Sequence, residues 1–259
     1  MRRPALWAAT GVLLGVTVAA VVWLPARWLA PWVSQLTEGR VVWVQPQGTL
    51  WNGGTRLALT GGAGSQDRTA LPGTWTWRLS PQWRGGPGVT LNLGSHCCTK
   101  QPIQVSVQWK DGLSWQVSDA DITLPLSPLQ GLGTPWNTLA LQGQIHINTV
   151  ALSGLSSASR HNVKGQVNAQ VNNVSSRLTT VAPLGSYGAD LRWPQQGLAQ
   201  WSVRTLSGHL DIHGQGQIAQ GRVRFRGEAS ASAETSAALA NLLNIIGRRQ
   251  GGVTLLTLG

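Results

Sequence analysis

The sequence predicts a mainly β protein, with a single N-terminal transmembrane helix, a mostly antiparallel, meander-like twisted β-sheet domain and one C-terminal amphipathic helix. Three observations predict this class: an uncharged N-terminal segment, many short stretches in which apolar and polar residues alternate, and one apolar stripe at helical spacing. The composition agrees, because charged residues make up only 11% of the chain while glycines number 32. A coiled coil would be rich in Glu and Lys, and a disordered chain would not carry 14 tryptophans.

The N-terminal segment is long enough to cross a bilayer. Residues 5–24 carry no charge, and at about 1.5 Å per residue they span about 30 Å. Arg2 and Arg3 precede the segment, while Trp7 and Trp23 lie near its two ends, as in an aromatic belt. We therefore expect a cytoplasmic tail at residues 1–4, a transmembrane anchor at 5–24, a juxtamembrane linker at 25–40 and an exported β-rich domain at 41–259.

A cleaved signal peptide is the alternative for the same segment. Small residues at positions 18–20 offer a cleavage site after Ala20. Apolar residues nevertheless continue through Leu24, which is longer than the hydrophobic region of most signal peptides. This length favours an uncleaved, single-pass anchor, with the bulk of the chain outside the cytoplasm in either case.

The body of the chain is predicted to be a run of short antiparallel strands. Period-two alternation broken by Gly, Pro, Asn and Asp is typical of half-buried strands, and short connections favour pairing between neighbours. In one such stretch, Trp75, Trp77 and Leu79 are predicted to share a face. The segment Gly214-Gln215-Gly216 is interpreted as a turn between strands. The predicted strands are 41–44, 51–59, 73–79, 89–93, 103–109, 113–117, 122–124, 139–147, 163–174, 188–193, 199–205, 208–212, 216–225 and 253–258.

Residues 234–247 break the strand pattern. Four apolar residues recur there at i, i+3, i+4 and i+7, which predicts an amphipathic helix. They are Leu239, Leu242, Leu243 and Ile246. Ser232 is the predicted N-cap, and Arg248 and Arg249 are expected to bond the last carbonyl groups. The favoured interpretation is a helix that covers one end of the sheet, and the alternative is a helix that docks on a partner protein.

The two cysteines, Cys97 and Cys98, are adjacent in the sequence. In an oxidising compartment such a pair either closes a strained disulfide ring, bonds to another chain or remains a surface pair without a function. The third interpretation is favoured, and a disulfide between the two is kept as a candidate. Because the chain has no other cysteine, the fold has to depend on its core and its sheet.

The net charge of +11 raises the question of a nucleic-acid partner. No run of Lys or Arg is longer than two residues, whereas phosphate-binding surfaces usually contain clusters. Charge that is spread singly along strands is typical of a solvated face. We therefore expect no nucleic-acid binding.

Few residues suggest catalysis or metal binding. His209, Asp211 and His213 alternate and would share a strand face, but no fourth ligand is identifiable and a solvated face is favoured. Asp119 and Asp121 form a candidate carboxylate pair, although Asp is also common beside turns, which is the favoured interpretation. The P-loop, nucleophile-elbow, dinucleotide-binding and zinc-protease motifs are absent from the sequence. The sequence therefore predicts a protein that is not an enzyme and that binds no metal or cofactor.

Three short blocks follow the anchor in order. They are Gly48-Thr49-Leu50-Trp51-Asn52-Gly53, Pro183-Leu184-Gly185-Ser186-Tyr187 and Leu242-Leu243-Asn244-Ile245-Ile246-Gly247. Together they resemble the Gly-Thr-Leu-Trp-(small)-Gly, Pro-Leu-Gly-Ser-Tyr and Leu-Leu-x-x-Ile-Gly elements of the type II secretion system protein N family. The order of the blocks, the chain length and the β-rich body extend the resemblance over nearly the whole sequence.

The resemblance implies an inner-membrane protein with a cytoplasmic N-terminus and a periplasmic β domain at residues 41–259. It implies a non-enzymatic accessory component of the machine that exports folded proteins, in contact with other inner-membrane subunits. The candidate contact residues are Gly48, Thr49, Leu50, Trp51, Gly53, Pro183, Leu184, Gly185, Ser186 and Tyr187. Each of them also has a purely structural interpretation, as part of a tight hairpin, a core slot or a turn.

Two further functional hypotheses are open. A long twisted sheet with an apolar inner face would form a periplasmic groove for phospholipid, and its test is whether that face is open or closed over. A cell-envelope hydrolase built on Asp119 and Asp121 is the least favoured, and its test is whether the two carboxylates converge in a pocket.

Overall fold

The structure is a computed structural model that describes residues 3–110, 112–157, 160–219 and 221–258. Met1 and Arg2, which belong to the predicted cytoplasmic tail, lie outside the described residues. The helices are α1 (Arg3–Val22), α2 (Ala30–Leu36), α3 (Trp136–Leu139) and α4 (Ser236–Ile246), and short 3-10 turns span Ala26–Trp28 and Ser127–Leu132. No helix among the described residues is both long enough and apolar enough to cross a membrane.

Sixteen strands are present in the described residues, and they form one sheet with antiparallel pairing throughout. The strands are β1 (Val41–Gly48), β2 (Asn52–Thr60), β3 (Arg68–Ala70), β4 (Trp75–Gln82), β5 (Gly88–Ser95), β6 (Ile103–Lys110), β7 (Gly112–Val117), β8 (Ala120–Pro125), β9 (Gln142–Ser157), β10 (Arg160–Ser175), β11 (Gly185–Gln195), β12 (Leu198–Gly208), β13 (Leu210–Ala219), β14 (Arg222–Ala231), β15 (Arg248–Gln250) and β16 (Val253–Leu258). From β4 to β7 and from β9 to β14, strands that follow each other in the chain are also neighbours in the sheet. The predicted mainly β, antiparallel class is confirmed. The meander is interrupted where β16 lies between β14 and β15, and where β3 and β8 pair at the side with β2 and β9.

The register gives the sheet one apolar face and one polar face. Residues that pair across antiparallel strands lie on the same face, and successive residues of one strand lie on opposite faces. The apolar face includes Trp43, Leu57, Trp77, Leu93, Ile103, Val105, Trp115, Ile147, Ala169, Ala189, Val203, Ala229 and Leu256. The polar face includes Arg78, Asn92, Ser106, Gln116, Asn168, Asp190, Arg204 and Arg226. Trp75 and Trp77 are buried on the apolar face and Leu79 is half-buried there, so the shared face predicted for them is confirmed.

Aromatic rings on the apolar face lie over glycines of the neighbouring strand. Trp77 pairs with Gly53, and Gly216 lies between Trp201 and Phe225. The rings of Trp201 and Phe225 stack with centroids 4.5 Å apart. A Cβ atom at either glycine would collide with an aromatic ring. Each glycine therefore makes room for the ring beside it, and the ring covers the backbone that a glycine leaves bare.

A buried hydrophobic cluster lies under α4. The helix contributes Leu239, Leu242 and Leu243, all of which are buried. They belong to the same cluster as Leu184 and Leu210 from the sheet side. Full burial of a leucine side chain contributes about 1.5–3 kcal/mol, so this face holds the helix in place. The interpretation of α4 as a helix that covers one end of the sheet is confirmed.

The strands turn at two edges of the sheet that differ in content. Residues 49–51 connect β1 to β2, residues 83–87 connect β4 to β5, and residues 196–197 connect β11 to β12. Because neighbouring strands are antiparallel, these turns all lie at one edge, which we term the tip edge. The opposite edge, termed the core edge, carries α3, α4 and residues 176–184.

The structure corrects the prediction for residues 214–216. They do not form a turn but lie inside β13, which continues to Ala219 before the chain reverses. The strand predicted at 216–225 therefore divides between β13 and β14. The glycines that suggested a turn instead make room for the rings of Trp201 and Phe225.

The strand predicted at 139–147 is also wrong at both ends. Leu139 ends α3, so the strand begins only at Gln142, and it continues to Ser157. Leu139 packs against the cluster under α4, which explains an apolar residue outside the strand. Ala151 has a positive φ of 48°, and this irregularity lets the strand continue past the end of the predicted segment.

Both predicted ends of α4 need correction. Thr235 rather than Ser232 occupies the N-cap position, and no side chain makes a capping bond there. Ser232 Oγ instead lies 2.8 Å from Thr235 Oγ1. Arg248 and Arg249 belong to β15 rather than to the helix end, because the chain rejoins the sheet directly after Gly247.

Candidate functional site

The first motif block forms the β1–β2 turn at the tip edge. The Thr49 N–H donates to the carbonyl oxygen of Asn52 at 2.9 Å, and the Asn52 N–H donates to Thr49 Oγ1 at 3.3 Å. Gly48 has a φ of 86°, a left-handed conformation that glycine adopts without steric cost. The ring of Trp77 occupies the space where a Cβ atom of Gly53 would lie. Both glycines of the block are therefore required by the geometry of the turn.

The same turn binds the C-terminal end of α1. Trp51 Nε1 donates to the carbonyl oxygen of Val21 at 3.0 Å, and the Leu50 N–H donates to that of Leu24 at 2.9 Å. In a continuing helix the Val21 carbonyl would accept from residue 25, but Pro25 has no N–H. The Trp51 indole therefore supplies the donor that the helix end lacks.

On its other side, the turn is bonded to β4. Trp77 Nε1 donates to the carbonyl oxygen of Leu50 at 3.0 Å, and the Leu79 N–H donates to that of Trp51 at 2.7 Å. Leu50 and Trp51 thus use their donors on α1 and their acceptors on β4. Trp51 is half-buried and lies outside the cluster under α4. Its position is that of a link between helix and sheet.

The second motif block lies at the core edge, between β10 and β11. Leu184 is only 2% exposed. Its N–H donates to the carbonyl oxygen of Val174 at 2.7 Å, and its own carbonyl oxygen accepts from His209 at 2.8 Å and from Leu210 at 3.1 Å. One residue therefore joins the end of β10 to the start of β13 while its side chain fills the cluster.

Tyr187 bonds the same region through its side chain. Its hydroxyl donates to the carbonyl oxygen of Leu210 at 3.0 Å. Burial, and to a lesser extent the charge of Asp211, raises the pKa of Tyr187 well above its ordinary range. The phenol therefore stays protonated and remains a donor at neutral pH.

The other residues of the second block act mainly through the backbone. The Ala182–Pro183 peptide bond is cis. Gly185 lies close to Tyr187, whose hydroxyl oxygen would be 3.0 Å from a Cβ atom at residue 185. Ser186 Oγ accepts the N–H of Asn173 at 3.2 Å. The block is thus a compact turn packed against the cluster.

A comparison with protein families gives one match. A family model described as type II secretion system (T2SS), protein N matches residues 39–255, a range that contains both motif turns, α4 and nearly all of the sheet. This chain belongs to the type II secretion system protein N family. The match confirms the family that the three sequence blocks resemble. Comparisons with curated proteins and with solved structures give no match.

In this type II secretion system protein N, Cys97 and Cys98 form a disulfide with each other. The pair follows β5 at the core edge, with Cys98 buried and Cys97 exposed. Cys97 Sγ lies 3.2 Å from Ser95 Oγ and 3.3 Å from the carbonyl oxygen of Pro72. The pair is therefore a closed ring packed against a neighbouring loop, at the opposite edge from the Trp51 turn.

The candidate carboxylate pair is divided between two structural roles. The Ala151 N–H donates to Asp119 Oδ1 at 2.8 Å, and Lys100 Nζ donates to Asp121 Oδ2 at 2.5 Å. Ala151 is the β9 residue with the left-handed conformation, so Asp119 supports the irregularity in that strand. Each carboxylate has a partner on a different segment, which is an arrangement that stabilises the fold.

The histidine cluster lies on the polar face. His213 Nδ1 is 3.7 Å from Asp211 Oδ2, and His213 Nε2 is 3.7 Å from Glu228 Oε2. His209 precedes β13 and bonds Leu184 through its backbone. Within the described ranges, no group of three or more His, Cys, Asp or Glu residues is placed to hold a metal ion. The three side chains around His213 are exposed, in agreement with the solvated face that the sequence favours.

A cavity of about 380 Å³ lies on the polar face between β6, β7, β9 and β10. Serine and glutamine side chains dominate its lining, which contains no Asp, Glu or His. Neutral amides and hydroxyls form hydrogen bonds but do not transfer protons near neutral pH. The cavity is therefore suited to polar contact rather than to acid–base chemistry.

The sequence does not identify three residues on which the two turns depend. They are Val21, Trp77 and Leu210, which bond Trp51, Leu50 and Tyr187. A signal exists for Val21, because a proline four residues later leaves its carbonyl without the usual helical donor. The other two partners come from distant strands, and only the register of the sheet brings them to the motif blocks.

Proposed function

We propose that this protein is a non-enzymatic accessory component of the type II secretion machine that acts through contacts of its periplasmic β domain with other inner-membrane subunits. Membership of the family supports the secretion role. The open sheet supports the contact role, because β1 has a strand neighbour, β2, on one side only. Such an edge strand presents backbone donors and acceptors to a strand of a partner protein. The edge strand at the other end, β15, has only three residues.

The proposal includes an anchor in the inner membrane. Residues 1–4 would lie in the cytoplasm, 5–24 in the bilayer, 25–40 in a linker and 41–259 in the periplasm. The uncharged sequence of the segment supports this, and so do the exposed apolar side chains along α1. A helix with this much uncovered apolar surface requires an apolar environment. The bond from Trp51 would then hold the sheet against the membrane end of the anchor.

Purification of the full-length protein from gently solubilised membranes, with mass spectrometry of proteins and lipids, tests the proposal. Other secretion subunits should be recovered at near-stoichiometric levels. A photo-crosslinking residue at Gln45 or Gln47, exposed on β1, should link to one of these subunits. The same residue at Arg222, exposed at the far side of the sheet, is the control and should not. Recovery without other subunits and without a crosslink from β1 would contradict the proposal.

A periplasmic lipid-binding or lipid-transfer groove is the second candidate function. The apolar face favours it, since α4 covers that face at the core edge while Val89, Ile218 and Val223 near the tip edge are exposed. Acyl chains would occupy such a surface by hydrophobic burial. The same purification distinguishes the two functions. Enriched phospholipid without a consistent protein partner would favour the groove.

A further inference from the structure

Two tryptophans protrude from the tip edge. Trp83 in the β4–β5 turn is 77% exposed and Trp109 near the end of β6 is 65% exposed, whereas Trp75 and Trp77 on the sheet are 6% exposed. An indole combines a large apolar ring with one N–H donor, and the membrane–water interface accommodates both. The contrast between packed and protruding tryptophans within the same strands therefore points to an apolar but hydrated environment at this edge.

The two protruding tryptophans belong to one surface. The Trp109 N–H donates to the carbonyl oxygen of Pro87 at 2.9 Å, which joins the end of β6 to the β4–β5 turn. Gly88 pairs with Gln108 in the register of the same two strands. The tips that carry Trp83 and Trp109 are thus adjacent.

Helix α1 ends at this same edge. The Leu79 N–H of β4 bonds Trp51, whose indole bonds the Val21 carbonyl in the last turn of α1. Trp83 follows Leu79 by four residues in the chain, which places it about 13 Å further along the strand direction. From Trp7 to Val22, the side chains of α1 are exposed rather than packed on the sheet. An apolar helix and two exposed indoles thus start from one edge of the molecule.

Each exposed indole is followed by a cation. Arg84 follows Trp83 and Lys110 follows Trp109, and both cations are exposed. Within the described residues neither cation forms an ion pair. Asp111, which follows Lys110, lies outside the described residues. Lys and Arg near a membrane surface are attracted to anionic phospholipid, so the charges match such a surface.

We propose that the tip edge is a membrane-contact surface, in which Trp83 and Trp109 enter the headgroup layer and Arg84 and Lys110 bind phospholipid phosphates. The inference rests on the proposed anchoring by α1, which would keep this edge next to the bilayer as an intramolecular contact. Helix and tips together would hold the sheet edge-on to the membrane, with the core edge and the Cys97–Cys98 ring directed away from it.

Fluorine NMR of the full chain labelled with 5-fluorotryptophan tests the contact. The protein is placed in nanodiscs of phosphatidylethanolamine and phosphatidylglycerol at three to one, with a lipid that carries a nitroxide near its headgroup. Single Trp→Phe variants assign the resonances. We expect those of Trp83 and Trp109 to broaden at least twofold, as does that of Trp23 at the end of the anchor. Trp136 is the control, since it is 37% exposed at the core edge and its resonance should stay sharp.

The outcomes separate this inference from the anchor on which it rests. Broadening of Trp23 with sharp resonances for Trp83 and Trp109 would overturn the tip contact and leave the anchor standing. A sharp Trp23 resonance would overturn both. In a second arm, nanodiscs of phosphatidylcholine alone, or the double variant Arg84→Gln/Lys110→Gln, should reduce the broadening of Trp83 at least twofold. Unchanged broadening there would overturn the assignment of the two cations to phosphates.

Discussion

The two motif turns lie at opposite edges of the sheet and are held in different ways. The Leu184 turn at the core edge is buried, and its bonds join strands to each other beneath α4. The Trp51 turn at the tip edge is half-exposed, and its bonds join the sheet to α1. A short sequence block therefore has no single role: the first sets the position of a helix relative to the sheet, and the second stabilises the core.

Removal of the buried leucine should have the largest effect. Leu184→Ala deletes a side chain that is 2% exposed and leaves a cavity, which costs about 2–5 kcal/mol of unfolding free energy. Leu206→Ala, at an exposed position on β12, is the matched control and should cost less than about 0.5 kcal/mol. Denaturant titration of the full chain in detergent micelles measures both. Similar losses in the two variants would show that the second turn is not part of the core.

A methyl group at Gly53 should have the next largest effect, because it tests how the first turn fits onto β4. Gly53→Ala directs a Cβ atom into the Trp77 ring and should cost about 1–3 kcal/mol. Gly54→Ala is the neighbouring control, since its Cβ would find ordinary contacts at 3.5 Å or more. The same titration compares the two variants. Equal stability would mean that the Trp77 ring moves without cost and that the turn is not fixed on the sheet.

These two glycines also show why some of the structure was predictable from the sequence and some was not. Alternation in residues 73–79 predicts the buried face of Trp75 and Trp77 because period two is a local property of a strand. The role of a glycine is not local. Gly53 lies in a predicted strand and residues 214–216 were interpreted as a turn, yet both segments make room for an aromatic ring across the sheet. Only the pairing partner distinguishes a turn glycine from one covered by a ring.

The candidate site follows the same division. The sequence identifies the motif residues themselves, because unusual blocks such as Gly48 to Gly53 are visible without a structure. It does not identify what they contact. The donor from Trp51 reaches a carbonyl 30 positions away in the chain, and the Tyr187 hydroxyl reaches one on a different strand. Contacts of this range depend on the register and on the direction in which α1 leaves the turn.

Loss of the tyrosine hydroxyl should have a moderate effect that depends on pH. Tyr187→Phe keeps the ring but removes the bond to Leu210, which costs about 0.5–1.5 kcal/mol at neutral pH. The pKa of the phenol is raised in the folded protein, so the native state holds this proton more tightly than the unfolded chain does. Its contribution to stability is therefore fully present below the ordinary pKa of 10.0 and decreases as the pH rises above it.

Unfolding titrations of the wild type and Tyr187→Phe between pH 8 and about pH 11 check this sign. The advantage of the wild type should narrow above pH 10 and should be constant below it. Because the sequence has one tyrosine, the difference between the two proteins isolates this group. An advantage that grows with pH would show that the hydroxyl is not buried as described.

The smallest global effect is expected at the other turn, where the link to α1 is broken and the sheet is left intact. Trp51→Phe removes the indole donor to Val21 and should change the unfolding free energy by less than about 0.5 kcal/mol. Locally, loss of a bond worth about 1 kcal/mol should speed exchange of the Leu50 amide, which donates to Leu24, about fivefold. Hydrogen exchange of the full chain measures this, with Trp83→Phe as the control that leaves the helix end untouched. If Trp51→Phe instead lowered global stability as much as Leu184→Ala, both turns would serve the core, and the first would not set the position of the helix.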